Sequence, residues 1–374
     1  VRAGEQATGR TSGQRGVRIW LYLLAALVVG MVAVGGATRL TGSGLSITEW
    51  RPVTGAIPPV SAGAWAAEFE KYRDTPQYRI LNQGMGLSDF KVLYAWEWGH
   101  RLLGRIVGLV FFLPLLWFWW RGALTRSLGL GLLGLGILGG LQGAIGWIMV
   151  ASGLQPGMTA VAPLKLALHL TTASLILAGL VWLAAGLRPS DAAAEAGPPR
   201  LQRTAFAIMV LVVVQIFLGG LVAGSKAGLL YNTWPSMDGH LVPPMAELFA
   251  GTPWIENFVD NLALVQLNHR LTAYLLLAVA LVHALDARRV RPGTGTARRA
   301  TGIAGLVLAQ GVLGITTLLL AVPLWAALSH QVFAMAVLTM ATVHARRTGR
   351  AAVATPLGRP STPFGYEALT GKAA

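Results

Sequence analysis

Residues 97–101 read EWGHR and residues 266–270 read QLNHR. The first stretch puts Glu97, His100 and Arg101 within about one helical turn, just ahead of the apolar run IVGLVFFLPLLWFWW. An ionisable group at the middle of a membrane helix costs roughly 2.5–3.5 kcal/mol on insertion scales. Three such groups together demand partners, water or a bound molecule, and the chain offers the pattern twice.

Four of the seven histidines lie inside apolar runs: His100, His169, His269 and His330. Each falls seven or eight residues after its run begins, about 12 Å along a helix. The four runs enter from one side, so the imidazoles share one depth, and each half of the chain presents two of them. Two imidazoles from two helices of one bundle suit the axial positions of a haem iron. Zinc would want three or four close ligands. A single intramembrane histidine usually just bonds a neighbouring helix, but four at matched depth, repeated between halves, argue for iron. His283 and His344 end their runs beside arginines and read as interfacial; His240, in a loop, has no counterpart and stays unassigned.

Haem propionates need cations. Arg101 and Arg270 each follow a ligand candidate by one residue, and Arg39 and Lys226 occupy matching loops. Arg101 has a second reading, an i,i+4 ion pair with Glu97. Trp50 and Trp234 read as interface anchors, with lids over a porphyrin as the other reading. The halves differ at one place: Gln266 stands where the first half has Glu97. A carboxylate beside one site only suggests proton chemistry there and electron transfer or storage at the other. The plainer alternative makes Glu97 the counter-ion of Arg101.

The elements that must position these groups follow from composition. The 374-residue chain is 54% hydrophobic and only 12% charged, about half the charge of a soluble domain. Runs of about 20 residues that can span a bilayer fall near 17–38, 92–120, 127–150, 161–187, 203–224, 261–284, 301–321 and 323–345, the last two parted by a tight turn at Pro323. The net charge of +15 sits between these runs and not in a basic domain, so it argues for the positive-inside rule and against nucleic acid. Arg15 and Arg18, Arg121 and Arg126, Arg200 and Arg203, Arg288 and Arg289, and Arg346 and Arg347 all fall on one side of eight spans, the cytoplasm. Acidic residues intersperse the 39–91 loop, which belongs outside.

GGATRLTGSGLSITEW (35–50) corresponds to GGLVAGSKAGLLYNTW (219–234), IPP (57–59) to VPP (242–244), and QGAIG (142–146) to QGVLG (310–314). A four-span repeat enters the membrane twice in the same direction. The expected fold is therefore all-α and polytopic, with eight transmembrane helices in two pseudo-twofold-related four-helix bundles. Residues 1–16 form a cytoplasmic segment without the look of a cleavable signal, 17–187 the first bundle with the large 39–91 loop, 188–202 a cytoplasmic linker, 203–345 the second bundle and 346–374 a disordered tail. The chain has no Cys, which excludes disulfides and thiolate metal sites.

LSDFKVLYAWEWGHRLLGR (87–105), with GGATRLTGSGLSITEWRPVTGAIPP and EFEKYRDTPQY upstream, closely resembles the haem A synthases of bacteria and mitochondria, over nearly all of 17–345. The chain departs from bacterial members that carry paired outer-loop cysteines. The resemblance implies an eight-helix enzyme of the cytoplasmic (inner) membrane, with both termini cytoplasmic, that serves terminal oxidases. It oxidises the C8 methyl of haem O to the formyl of haem A, through an alcohol and a gem-diol that loses water. It places substrate haem O with Glu97, His100 and His169, and a haem b cofactor with His269 and His330. Haem O synthase is implied as a candidate partner beside an unidentified electron donor, and homo-oligomer formation stays open.

Two other classes fit the four histidines. One is a bis-His di-haem b electron carrier, weakened by Glu97 and by ligands that share one depth; the other is a haem transport or delivery protein. A prenyltransferase lacks support, since no DxxxD motif for Mg²⁺ lies on any span.

Overall fold

The structure, a computed structural model, describes residues 2–187 and 195–349. Eight helices are long and apolar enough to cross a membrane: α1 (Arg2–Leu40), α2 (Leu87–Trp120), α3 (Arg126–Gly153), α4 (Pro163–Gly186), α5 (Pro199–Ser225), α6 (Leu262–Val290), α7 (Gly295–Leu319) and α8 (Leu324–Thr348). The described residues otherwise hold only short helices, turns and one isolated β-bridge.

Local chemistry marks the helix starts. The side chains of Thr125, Asn261 and Thr294 accept the backbone N–H three residues on and open α3, α6 and α7. Pro163 and Pro199 occupy the first turn of α4 and α5, where no donor is missed. Between α7 and α8 the chain reverses through Ala321 and Val322, both left-handed, before Pro323 restarts the helix. That conformation costs an L-residue about 1–2 kcal/mol, so this turn is held by its surroundings and not by its own preference.

Pro114 sits inside α2 and cannot donate to the carbonyl of Val110. The indole N–H of Trp20 on α1 donates to that carbonyl at 2.7 Å. The Trp20 ring also packs on Phe111 and Phe118, at centroid distances of 5.9 and 5.5 Å. In a bilayer a freed carbonyl has no water to turn to, so a neighbouring helix must satisfy it.

α1 packs on α2 and α4, and α3 on α4, whereas α2 barely meets α3. In the second half α5 packs on α6 and α8, and α7 on both α6 and α8. The halves meet along α4–α5, α4–α8 and α1–α8. Small residues allow this approach: a β-carbon at Gly220 would lie 2.8 Å from Cα of Ala167, and one at Gly224 2.7 Å from Cα of Pro163. The core runs through Leu21, Leu24, Leu177, Leu180, Leu201, Ile208 and Leu338, all buried.

Over one end, the segment between α1 and α2 folds as a cap with helices Ala62–Arg73 and Pro76–Leu81. Tyr72, Tyr78, Phe90 and Tyr94 form its own apolar cluster. At its rim Lys71 donates to Glu68 and bridges Glu49, which also pairs with Arg51. The hydrogen bond from Lys71 holds the Glu49 carboxyl below its ordinary range.

Several boundaries differ from those read in the sequence. α2 starts at Leu87, ahead of the apolar run, because Leu87, Phe90 and Tyr94 of its first turns pack into the cap cluster while Ser88, Asp89 and Lys91 stay exposed. α5 starts at Pro199. α8 continues to Thr348, so Arg346 and Arg347 are helical; the remainder of the expected tail, 350–374, and linker residues 188–194 lie outside the described residues. Glu195 reaches Arg299 and Arg347 at 3.3 Å each, tying the end of the linker to α7 and α8.

Candidate functional site

All four predicted ligand histidines lie toward the capped end, and each rests on a glycine of the preceding helix. A β-carbon at Gly35 of α1 would come 2.7 Å from Cε1 of His100 on α2. The corresponding distances are 2.8 Å for Gly146 and His169, 3.1 Å for Gly219 and His269, and 2.8 Å for Gly314 and His330. Only glycine admits an imidazole this close to a helix backbone. The His100 and His169 rings lie within electrostatic reach of each other, as do those of His269 and His330.

The repeated Gly-Gly pair acquires a reason here. Gly35 seats His100, and Gly36 seats Gln331 of α8, whose Nε2 donates to the carbonyl of Val32 at 2.9 Å. Gly219 seats His269, and Gly220 seats Ala167 of α4. One glycine of each pair serves its own half, the other the interface between halves.

A second hold was not read in the sequence. Gln142, Gln215 and Gln310, each four residues before a seating glycine, donate to the backbone carbonyls of His169, His269 and His330 at 3.0, 3.0 and 2.9 Å. The same amide nitrogens lie 3.3, 3.0 and 3.5 Å from a ring nitrogen of those histidines. The signal was available as QxxxG on α3, α5 and α7, of which the sequence comparison used only two copies as repeat markers.

The residues fit a bis-imidazole group. Nδ1 of His100, His169 and His330 and Oε1 of all three glutamines are buried without partners, which in a folded interior signals an unfilled polar role. No cluster of three or more His, Cys, Asp or Glu able to hold a metal exists among the described residues, so pairs of imidazoles are what the fold provides.

Glu97 is buried, and both its oxygens are engaged. Oε2 accepts from the Ser46 hydroxyl and the Ile47 amide, both at 2.8 Å, and Oε1 accepts from Arg101 at 2.6 Å. The ion-pair reading of Arg101 is thus realised. Its other donors go to the carbonyls of Glu49 and Ile47, each at 2.8 Å. The second half repeats the scheme without the charge: Gln266 donates to the carbonyls of Ala227 and Tyr231, and Arg270 to those of Tyr231, Thr233 and Ser236. The residues flanking His100 and His269 therefore clamp the loops that follow α1 and α5. Of the four cations read as propionate contacts, Arg101 and Arg270 are spent on loop carbonyls, whereas the side chains of Arg39 and Lys226 have no partner among the described residues. Trp50 and Trp234 are exposed, the latter donating to the Tyr274 hydroxyl at 3.0 Å.

His283 and His344 depart from expectation. They do not face their surroundings: both are buried, and their Nε2 atoms share a hydrogen bond of 2.7 Å between α6 and α8. Each lies fourteen residues beyond the ligand candidate on its own helix, about 21 Å deeper. Thr204 closes the network at Nδ1 of His283, 2.7 Å away. At that separation the two rings share a proton and leave no place for an iron between them. In the first half the same spacing leads to Pro114 and Leu183. His240 is exposed, and its backbone closes a tight turn on Met237.

Residues 18–342 match the family model described as cytochrome oxidase assembly protein. A haem A synthase of Methylobacterium radiotolerans is 72% identical over 365 residues, covering 98% of both chains. One of Methylorubrum populi is 73% identical over 361 residues, 96% of this chain and 94% of its own. One of Azorhizobium caulinodans is 54% identical over 336 residues, 90% and 95% of the two chains. The chain belongs to the haem A synthase family. The family match takes in every spanning helix, and so includes all four glycine-seated histidines, the three glutamines and Glu97 of this haem A synthase family member.

Proposed function

We propose that this protein is a haem A synthase, an oxidoreductase that converts the C8 methyl of haem O into the formyl of haem A for terminal oxidases. The observation that carries this reading is the fourfold seating of imidazoles on glycines, two in each half, with a carboxylate beside one pair only. His100 and His169 hold substrate haem O in the first half. His269 and His330 hold a haem b cofactor in the second. A methyl C–H is inert to every side chain here, and bound haem iron supplies the oxidising power.

The chain's own groups bind, orient and carry protons. Arg39 and Lys226, free of other partners, neutralise propionates. Arg101 and Arg270 hold the covering loops, which keep water from the sites. Glu97 stands one turn from His100, where it orients water or moves protons at the substrate. The two halves are related by a pseudo-twofold axis along the membrane normal, and the arginine-rich ends face the cytoplasm of a bacterial inner membrane. Electrons arrive from a separate donor, and haem O synthase is the candidate supplier of substrate.

Pigment extraction from the purified protein tests this. Haem b together with haem O or haem A is expected, and haem b alone would support an electron carrier instead. His269→Ala or His330→Ala should lose haem b and turnover; full haem b content in either variant removes that residue as a ligand.

A further inference from the structure

Each ligand histidine rests on a glycine, but the glutamine hold is made only three times. α1 has the same spacing, with Met31 four residues ahead of Gly35. A thioether has no proton to donate. The Met31 methyl instead lies over Gly104, 3.7 Å from where a β-carbon there would stand. Nδ1 of His100 is buried without a partner, as in His169 and His330, but among the described residues no side chain donates to the His100 backbone carbonyl or stands against its ring as the glutamines do. His169 in the same half, and both histidines of the other, have the backbone carbonyl held by one amide at 2.9–3.0 Å, and the same amide nitrogen stands against the ring, at Nδ1 of His269 and beside Nε2 of His169 and His330.

We propose that His100 is the exchangeable axial ligand, the one imidazole that swings away so that the first-half site can accept an exogenous ligand. This rests on the reading of the four imidazoles as haem ligands. An imidazole fixed by a neighbour loses little freedom on binding iron and returns to it quickly. One held only by packing against Gly35 lacks that restraint. Met31 is thereby a positioning residue, acting through the amide it withholds.

Carbon monoxide is the probe, added to the dithionite-reduced, full-length protein carrying its haems. It should bind one haem population, and that population should persist in His269→Ala, which removes the other. Met31→Gln supplies the missing amide and should leave haem content unchanged. It should slow carbon monoxide binding about tenfold, the factor given by one hydrogen bond of about 1.4 kcal/mol. Gln215→Met should do the reverse, making second-half haem reactive, and reads the same property if Met31→Gln does not accumulate. No carbon monoxide binding to the parent, or unchanged rates in both variants at full haem content, overturns the proposal. Failure of the ligand reading itself is seen separately, as full haem content in the four His→Ala variants.

Discussion

Oε1 of Glu97 lies 2.6 Å from Nη2 of Arg101 one turn further along α2, and together they grip residues 46–49 of the covering loop. Glu97 is buried, so removing Arg101 leaves an uncompensated buried charge, at a cost of about 3–5 kcal/mol. Its position three residues before His100 gives it the second, proposed use in moving protons.

Glu97→Gln separates the two uses. The amide keeps one acceptor oxygen, which can serve either Arg101 or the Ser46 and Ile47 donors, and Gln266 shows that an amide suffices to hold the loop in the other half. Both halves should keep haem, while haem O or its C8 alcohol accumulates and little haem A forms. Pigment analysis of the purified variant decides: normal haem A yield removes the proton role, and loss of first-half haem assigns Glu97 to the clamp alone. Ser46→Ala removes one hydrogen bond, about 1 kcal/mol, and should leave product formation near the parent level.

The glycine seats make a positional prediction. Gly146→Val places a β-carbon 2.8 Å from Cε1 of His169 and should displace the ring. Haem should fall in the first half only, read as a halved haem-to-protein ratio with haem b retained. Gly311, on α7, faces open space, and Gly311→Ala should be neutral or stabilise by about 0.5–1 kcal/mol. Equal haem loss in both variants would mean that helix flexibility, and not the seat, matters at these positions.

The shared proton of His283 and His344 should be structural. His344→Leu leaves Nε2 of His283 buried and unpartnered, costing about 1–3 kcal/mol. The double variant with His283→Leu should cost less than the sum of the two singles. Thermal unfolding in detergent reads both, with haem content unchanged. Loss of haem from a variant that unfolds at the parent temperature would instead make these residues part of a haem site.

Trp20 and Pro114 should be coupled through the Val110 carbonyl. Trp20→Phe keeps the ring contacts with Phe111 and Phe118 but orphans that carbonyl, at about 1–3 kcal/mol. In a Pro114→Ala background the helix supplies its own donor, and Trp20→Phe should then cost markedly less. Additive effects in the double-mutant cycle would show that the indole does not serve the proline.

Hydrophobicity summed over a span is a local quantity, and the sequence alone determined that eight helices are long and apolar enough to cross a membrane, where His100, His169, His269 and His330 sit along them, and that Glu97 is answered by Gln266. The pairing of Glu97 with Arg101 was also legible, because i,i+4 neighbours on one helix meet whatever that helix packs against. Contacts between helices depend on how each is rotated and how closely it approaches its neighbour, and no spacing within one helix encodes that. Tertiary structure therefore decided that Gly35, Gly146, Gly219 and Gly314 are imidazole seats, and that Gln142, Gln215 and Gln310 tie three histidines while Met31 leaves the fourth. It also decided that His283 and His344, each beside arginines in the chain, turn inward and meet across the second-half bundle, because α6 and α8 stand diagonally opposite, each packed on α5 and α7.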